Sequence, residues 1–216
     1  MLADHFPLFG LRLTTPRLEL RLPSDVELAA LAELAAQGVH DPEKMPFFVP
    51  WTDGPPSGVA RGVIQHHWLR LGEWEPRGWE LKLAVFHEGA VVGQQAIGAR
   101  DFAVTREVST GSWLGLRYHG QGIGTEMRAA VLHLAFAGLA AQDAVSGAWQ
   151  DNHASLAVSR KLGYRPDGVA RRTVRGALAI EQRLRLPRSD WENGHRPPVT
   201  IDGLPPCLPL FGVSAS

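Results

Sequence analysis

Three glycines stand at alternate positions, Gly120, Gly122 and Gly124, between an apolar strand-like run and a segment with helical spacing. Glycine lets a backbone approach a ligand closely and take conformations denied to other residues. A helix beginning at about Thr125 has first-turn N–H groups with no partner inside the helix. Free N–H groups in a loop that feeds a helix N-terminus make an anion site, best suited to phosphate. Two common phosphate loops do not fit. A nucleoside-triphosphate loop ends in Gly-Lys-Ser/Thr, whereas Gly124 is followed by Thr125 and Glu126. A dinucleotide fingerprint needs G-x-G-x-x-G, and Thr125 stands where its third glycine belongs. Asp143 lies near the distance expected of the ribose-binding carboxylate but precedes its strand. A glycine turn without a ligand would satisfy the same three residues.

The segment Ala144–Gly168, AVSGAWQDNHASLAVSRKLGYRPDG, reads as strand, turn, helix and stop. Asn152 is a good helix N-cap. The spacing predicts a helix over about His153–Leu162, with Gly163 as its C-terminal stop.

Together the two segments resemble the GNAT acyltransferase superfamily. Its phosphate loop, Arg/Gln-x-x-Gly-x-Gly/Ala, is matched in spacing by His119-Gly120-Gln121-Gly122-Ile123-Gly124. Its later signature, Asn-x-x-Ser/Ala followed by Lys-x-Gly-Phe/Tyr, is matched by Asn152, Ser155, Lys161, Gly163 and Tyr164. The opening Leu13-Thr14-Thr15-Pro16-Arg17-Leu18 looks like the first strand of the RimJ/RimL-like branch. The resemblance spans about Leu11–Leu186. Two positions depart from the pattern. His119 replaces the usual Arg or Gln, which leaves the backbone cradle intact. The family often has a tyrosine seven residues after the asparagine; here that position is Ser159, which excludes a tyrosine acid there.

The chain has 216 residues, the size of one domain with an ordinary core. Formal net charge is zero, and no Lys/Arg run marks a nucleic-acid surface. The lone cysteine, Cys207, excludes an intrachain disulfide and a cysteine-rich metal site, and fits a reducing cytoplasm. The start MLADHFPLFG has neither a basic nor an apolar signal region, and no apolar run is long enough to span a membrane. Neither nucleic acid, membrane nor metal is an expected partner.

The elements needed to hold the glycine loop follow from periodicity. Arg17–Arg21 alternates as a strand. Pro23-Ser24-Asp25 caps a helix of about Val26–Gln37. Gly38–Gly58 is irregular, but Met45, Phe47, Phe48, Val49 and Trp51 are too apolar for a solvated loop and suggest one folded over a pocket. Val59–Glu73 is a second helix. Trp79–Phe86, a turn at His87-Glu88-Gly89 and Val91–Ala99 form a hairpin. Val108–Leu116 delivers the chain to the loop. Thr125–Ala140 is amphipathic, and Ala177–Leu186 is a late strand. The proline-rich tail repeats a tetrapeptide, PLFG, found at Pro7–Gly10 and Pro209–Gly212.

The resemblance implies a single α+β domain over residues 11–188, with a mixed sheet of about six or seven strands, helices on both faces and splayed strands at a coenzyme A site. Segments 1–10 and 189–216 would pack on this domain or on a dimer partner; a homodimer is the expected assembly. It also implies an acyl-CoA-dependent N-acyltransferase. The backbone of His119–Thr125 would hold the diphosphate. The strand end Trp113, Leu114, Gly115 and Leu116 would offer groups to the pantetheine, and Asn152 would contact that arm. One N–H, that of Leu114, would face the thioester oxygen; such a donor is worth about 3–4 kcal/mol in a transition state. Ser155 matches a serine that the branch places near the sulfur as an acid. A glutamate proposed as base in the branch aligns with Arg172, so Glu107 is the first substitute, followed by Asp101 and the His66-His67 pair. Acetyl-CoA is the expected donor, attacked directly by a primary amine in a ternary complex. Succinyl-CoA is the alternative, its carboxylate needing a cation such as Arg100, Arg106, His66 or His67. Two readings of other classes remain: a coenzyme A-binding sensor with little turnover, and a nucleotide-binding domain of another fold.

Overall fold

A computed structural model describes residues 1–194 and 196–213. The N-terminal segment forms a short helix, α1 (Leu2–His5), and a 3-10 turn over Pro7–Gly10. Strands β1 (Arg12–Thr14) and β2 (Leu18–Arg21) follow, then helices α2 (Asp25–Ala36) and α3 (Pro56–Gly72). Strands β3 (Gly78–His87) and β4 (Ala90–Arg100) form the expected hairpin, and a short helix α4 (Phe102–Thr105) leads into β5 (Glu107–Leu114). Helix α5 (Ile123–His133) runs on through a wider π-type turn at Leu134–Gly138. Then come β6 (Asp143–Trp149), α6 (His153–Lys161), β7 (Arg165–Val174), β8 (Ala177–Pro187), α7 (Arg188–Asn193) and β9 (Thr200–Asp202).

Among the described residues the sheet has nine strands, in the order β7-β8-β6-β5-β4-β3-β2-β1-β9, and not the six or seven expected. Its extra members are β7, β9 and the division of the first strand into β1 and β2. Ser24 caps α2 by accepting from the Glu27 N–H, with Glu27 reaching back to the Ser24 backbone, a capping box. Adjacent residues of β3 serve opposite faces. Leu83 and Val85 join the core under α5, while Ala84 and Phe86 join a smaller cluster under α2 and α3. Helices therefore cover both faces.

The tail folds onto the same body. β9 pairs antiparallel with β1. Leu8 and Phe211, one from each PLFG copy, are fully buried, and Phe211 packs edge-on against Trp79 with ring centroids 4.8 Å apart.

All neighbouring pairs in the sheet are antiparallel except β5 and β6. That parallel pair is bonded only from Glu107–Ser109 to Asp143–Val145. Beyond it, β5 stays with β4 as far as Leu114 and β6 stays with β8 as far as Trp149. Each strand follows its outer neighbour, and the twist of the sheet carries the two apart. The result is a wedge-shaped gap, closed at Ser109 and Val145 and open at Leu114 and Trp149.

Candidate active site

The open end of the gap leads to the glycine loop. Gly120 and Gly122 have φ of +75° and +80°, the left-handed region that glycine enters without strain. Helix α5 starts at Ile123, two residues before the expected Thr125. The backbone N–H groups of Gly120, Gln121, Gly122, Ile123 and Gly124 donate to no acceptor among the described residues. The N–H of Thr125 bonds to the Gly122 carbonyl at 3.1 Å and so lies outside that free row. Five consecutive free donors at a helix N-terminus can hold a diphosphate.

Residues far away in sequence brace this cradle. Arg17 Nη1 donates to the Gln121 carbonyl at 3.1 Å. Its Nε donates to Glu126 Oε2 at 2.7 Å, and Thr15 Oγ1 donates to Glu126 Oε1 at 2.6 Å. Burial alone would raise the Glu126 carboxyl pKa. The bonds from Thr15 and Arg17 outweigh burial and hold it below its ordinary value. His119 does not extend towards the loop. Its Nε2 lies 3.1 Å from the Leu114 carbonyl oxygen, folded back on the end of β5.

The antiparallel ladder decides which backbone groups face the gap. Gly115 N–H donates to the Val92 carbonyl, and β4 and β5 keep one register from there to Ser109. Bonded and non-bonded pairs alternate. The N–H groups of Ser112 and Leu114 therefore point across the gap towards β6. Side chains alternate as well. Trp113 packs on the α2/α3 side and Leu114 on the α5 side. Gly115 is held close to Leu34, whose Cδ1 would lie 2.6 Å from a Cβ there. The Leu116 N–H reaches Gly38 O at 3.4 Å.

The other wall is β6 and α6. Asn152 caps α6, its Oδ1 accepting from the Ser155 N–H at 3.1 Å. Asn152, Ser155 and Ser159 follow one another at helical spacing on one face of α6, where Ser159 meets α5. Ser159 Oγ, fully buried, accepts from Arg128 Nη1 at 2.8 Å. Arg128 Nη2 donates in turn to Ser112 Oγ at 3.4 Å. Tyr164 closes the deep end on this face, 3.2 Å from Thr110 Oγ1. Burial raises the Tyr164 pKa above its ordinary value.

On the opposite face the Gly38–Gly58 segment crosses the gap. Trp51 packs on Trp113 of β5 with centroids 5.7 Å apart. Phe48 packs edge-on against Trp149 of β6 at 4.6 Å. Asp53 pairs with Arg175 at the β7–β8 turn. Beside the closed end lies a cavity of about 700 Å³, lined by Arg70, Glu73, Trp79, Glu80, Arg100, Glu107 and Ser109 among others.

The structure brings together Trp113, Leu114, Gly115, Leu116, the loop from His119 to Thr125, Asn152 and Ser155. It places Glu107 at the other end of β5, about 23 Å from Leu114 at 3.3 Å per residue. There the Glu107 carboxylate accepts from Arg185 Nη1 at 2.7 Å. Arg185 is shared with Asp143 at 3.4 Å and Asp167 at 3.2 Å. Asp101 pairs with Arg77 on the surface. His67 is buried on α3, and burial pushes its pKa down to about 4. Arg100 lines the cavity, while the Arg106 guanidinium lies over the Phe102 ring, 5.4 Å from its centroid. Cys207 is buried, its thiol pushed up to about 11 by burial, which leaves it unreactive.

Three residues of the site carry no sequence signal that periodicity or spacing could detect: Arg17, Arg128 and Glu181. Glu181 is buried on β8 and accepts from Arg172 Nε at 3.0 Å. Its Oε1 would lie 2.5 Å from a Cβ at Gly147. The glutamate that Arg172 displaces in the pattern is thus replaced by a cross-strand carboxylate on the lid face. Among the described residues no group of His, Cys, Asp or Glu could hold a metal ion, and no helix is long and apolar enough to cross a membrane.

Comparison with known proteins agrees with this geometry. The chain is similar in fold to RimL, the ribosomal L7/L12 α-N-protein acetyltransferase, solved in complex with coenzyme A. Identity is 19%, coverage 80% of this chain and 95% of that one, and the TM-score 0.62. It is similar to Mycobacterium smegmatis RimJ with a coenzyme A disulfide, at 17% identity, 87% and 92% coverage and TM-score 0.66. A GNAT-family acetyltransferase from Bacillus anthracis matches at 14% identity, 82% and 99% coverage and TM-score 0.63. The family description "Acetyltransferase (GNAT) domain" matches residues 17–165. With the splayed strands, the free N–H row and this match over most of its length, the chain belongs to the GNAT acetyltransferase family.

Proposed function

We propose that this protein moves an acetyl group from acetyl-CoA to a primary amine by direct attack in a ternary complex. The observation that carries the reading is the gap between β5 and β6 opening onto five free N–H groups. In this reading the diphosphate sits on Gly120–Gly124 and the pantetheine runs down the gap past Leu114 and Asn152. The N–H groups of Leu114 and Ser112 bond the arm and the thioester oxygen. The amine arrives from the face covered by Trp51 and Phe48, where the apolar lid favours a small or partly apolar acceptor.

Glu181, a carboxylate on the lid face beside Gly147 of β6, draws an ammonium under the lid and takes the proton of the attacking amine, whereas Glu107, held by Arg185 beyond the closed end of the gap, lies out of its reach. Ser155 returns a proton to the sulfur. Arg100 is the one notable cation of the expected succinyl set that lines the cavity; His67 is neutral at neutral pH, and Arg106 is turned away. This supports acetyl over succinyl. RimL, named above, is by its description an acetyltransferase of ribosomal L7/L12, which makes a protein N-terminus a second acceptor class to include.

The test is thiol release from acetyl-CoA across a panel of small amines and N-terminal peptides, with thermal unfolding followed in the presence of coenzyme A, ATP and NAD. Turnover and stabilisation by coenzyme A are expected. Stabilisation by coenzyme A without turnover would favour the sensor reading. Stabilisation by ATP or NAD alone would overturn the assignment.

A further inference from the structure

Among the described residues Arg128 has no counter-ion. It is 5% exposed, on the α5 side of the gap. Its bonds go to two hydroxyls, Ser159 Oγ of α6 at 2.8 Å and Ser112 Oγ of β5 at 3.4 Å. Its Nε has no partner among the described residues. A buried guanidinium without a carboxylate is costly to keep in a fold. Its two partners belong to the two walls of the gap, so the charge bridges them from below, with Ser112 three residues beyond Ser109, where the pairing of β5 with β6 ends.

The faces of the gap are unequal. The lid and the cavity that admit an amine lie on the α2/α3 side. An acyl carbon attacked from that side expels its sulfur towards the α5 side, where Arg128 lies. We propose that Arg128 is a catalytic residue that stabilises the leaving coenzyme A thiolate, a role resting on the acyl-CoA reading above. The amine lone pair forms the C–N bond, the C–S bond breaks, and its electron pair stays on sulfur beside the guanidinium. The amine proton goes to Glu181 on the lid face. The sulfur is protonated afterwards by Ser155, which recovers a proton from water. A serine hydroxyl is a weak acid, and a fixed cation lets bond cleavage run ahead of that transfer.

Few other charges face this point. From Val108 to Leu114, β5 carries no ionisable side chain. Helix α5 offers Glu126, already held by Arg17, and His133. Helix α6 offers His153, Arg160 and Lys161, all exposed. Tyr164, after α6, is the ionisable group whose field reaches Arg128.

The experiment titrates the thiol of bound coenzyme A by thiolate absorbance near 240 nm, with S-methyl-CoA as the donor-shaped control that cannot ionise. In the wild type the bound thiol pKa is expected to fall by about one unit or more, a tenfold gain in thiolate affinity. S-methyl-CoA should bind with no matching pH dependence. Arg128→Met should return the thiol to its free value and lower kcat about 10²-fold, with donor KM changed far less. Arg128→Lys should recover part of both. An unshifted thiol in the wild type would overturn the proposal, whether or not the variants fold. So would equal loss of coenzyme A and S-methyl-CoA binding in Arg128→Met, which would make it a general donor-binding residue. A wild-type preference for succinyl-CoA that vanishes in Arg128→Met would assign the cation to the acyl carboxylate instead. If the wild type binds neither coenzyme A nor S-methyl-CoA, the acyl-CoA reading itself fails.

Discussion

The guanidinium of Arg17 donates to the carbonyl oxygen of Gln121 at 3.1 Å, tying the turn before β2 to the middle of the glycine loop. The same side chain pairs with Glu126 at 2.6 Å in the first turn of α5. One arginine therefore fixes both the loop and the helix end that it feeds. Arg17→Met is expected to weaken coenzyme A binding about tenfold, equivalent to about 1.4 kcal/mol. It should also lower stability by about 1–3 kcal/mol, because the largely buried Glu126 loses its charged partner. Calorimetric titration and urea unfolding check the two effects; full affinity in the variant would show that the loop needs no such brace.

The cradle can be tested directly. Gly122→Asp forces a side chain into a left-handed conformation, costing about 1–2 kcal/mol, and sets a carboxylate against the diphosphate. Gly124→Asp meets Val158 Cγ2 at an ordinary contact of 3.7 Å, so it acts by setting its carboxylate against the diphosphate. Both variants should fold and lose coenzyme A binding, as read by circular dichroism and thermal shift. Unchanged affinity in either would remove the diphosphate from this loop.

Carboxylate roles separate by kinetics. Glu181→Gln should lower kcat/KM by about 10²-fold or more and remove the acidic limb of the pH–rate profile, since a base works only once deprotonated. Glu107→Gln should leave kcat nearly intact, since that carboxylate pairs with Arg185 beyond the closed end of the gap. Ser155→Ala should lower kcat more than it raises donor KM. A pH profile identical to wild type in Glu181→Gln would clear that residue, and a lost limb in Glu107→Gln would move the base there.

His67 makes stability depend on pH. Its side chain is buried, and burial pushes its pKa down to about 4, against about 6.5 in an unfolded chain. As pH falls below about 6.5 the unfolded state takes up a proton that the folded state refuses. Stability should therefore decline between about pH 6.5 and 4 by up to about 3 kcal/mol, and this contribution should then level off. Urea unfolding at a series of pH values should show that slope, and His67→Gln should flatten it. An equal slope in both proteins would place its origin elsewhere.

The sequence carried the periodic and punctuated parts of this structure. Helix α2 with its capping box, the β3–β4 hairpin and the glycine loop rest on local rules, and each lies within two or three residues of its expected bounds. Strand β7 was not legible. Its residues are largely exposed and include Pro166, Gly168 and three arginines, so no apolar alternation marks it. Three-residue β9 is too short to show a period. In the site, the backbone cradle was legible because glycine spacing dictates it. Arg17, Arg128 and Glu181 were not, because their partners lie on other elements. Arg128 sits among apolar residues of α5 and reads as an ordinary charged position until Ser112 and Ser159 are seen beside it.

The aromatic contacts that seal the lid face give the protein an optical property. Three of its seven tryptophans, Trp51, Trp113 and Trp149, stand at the rim of the gap, the first two in contact with each other. Indole emission is sensitive to solvent and to neighbouring polar groups. A donor entering along β5, or a lid lifting to admit an amine, changes the surroundings of these three rings together. Intrinsic fluorescence should thus follow loading and release in real time, without a label and in the unmodified chain.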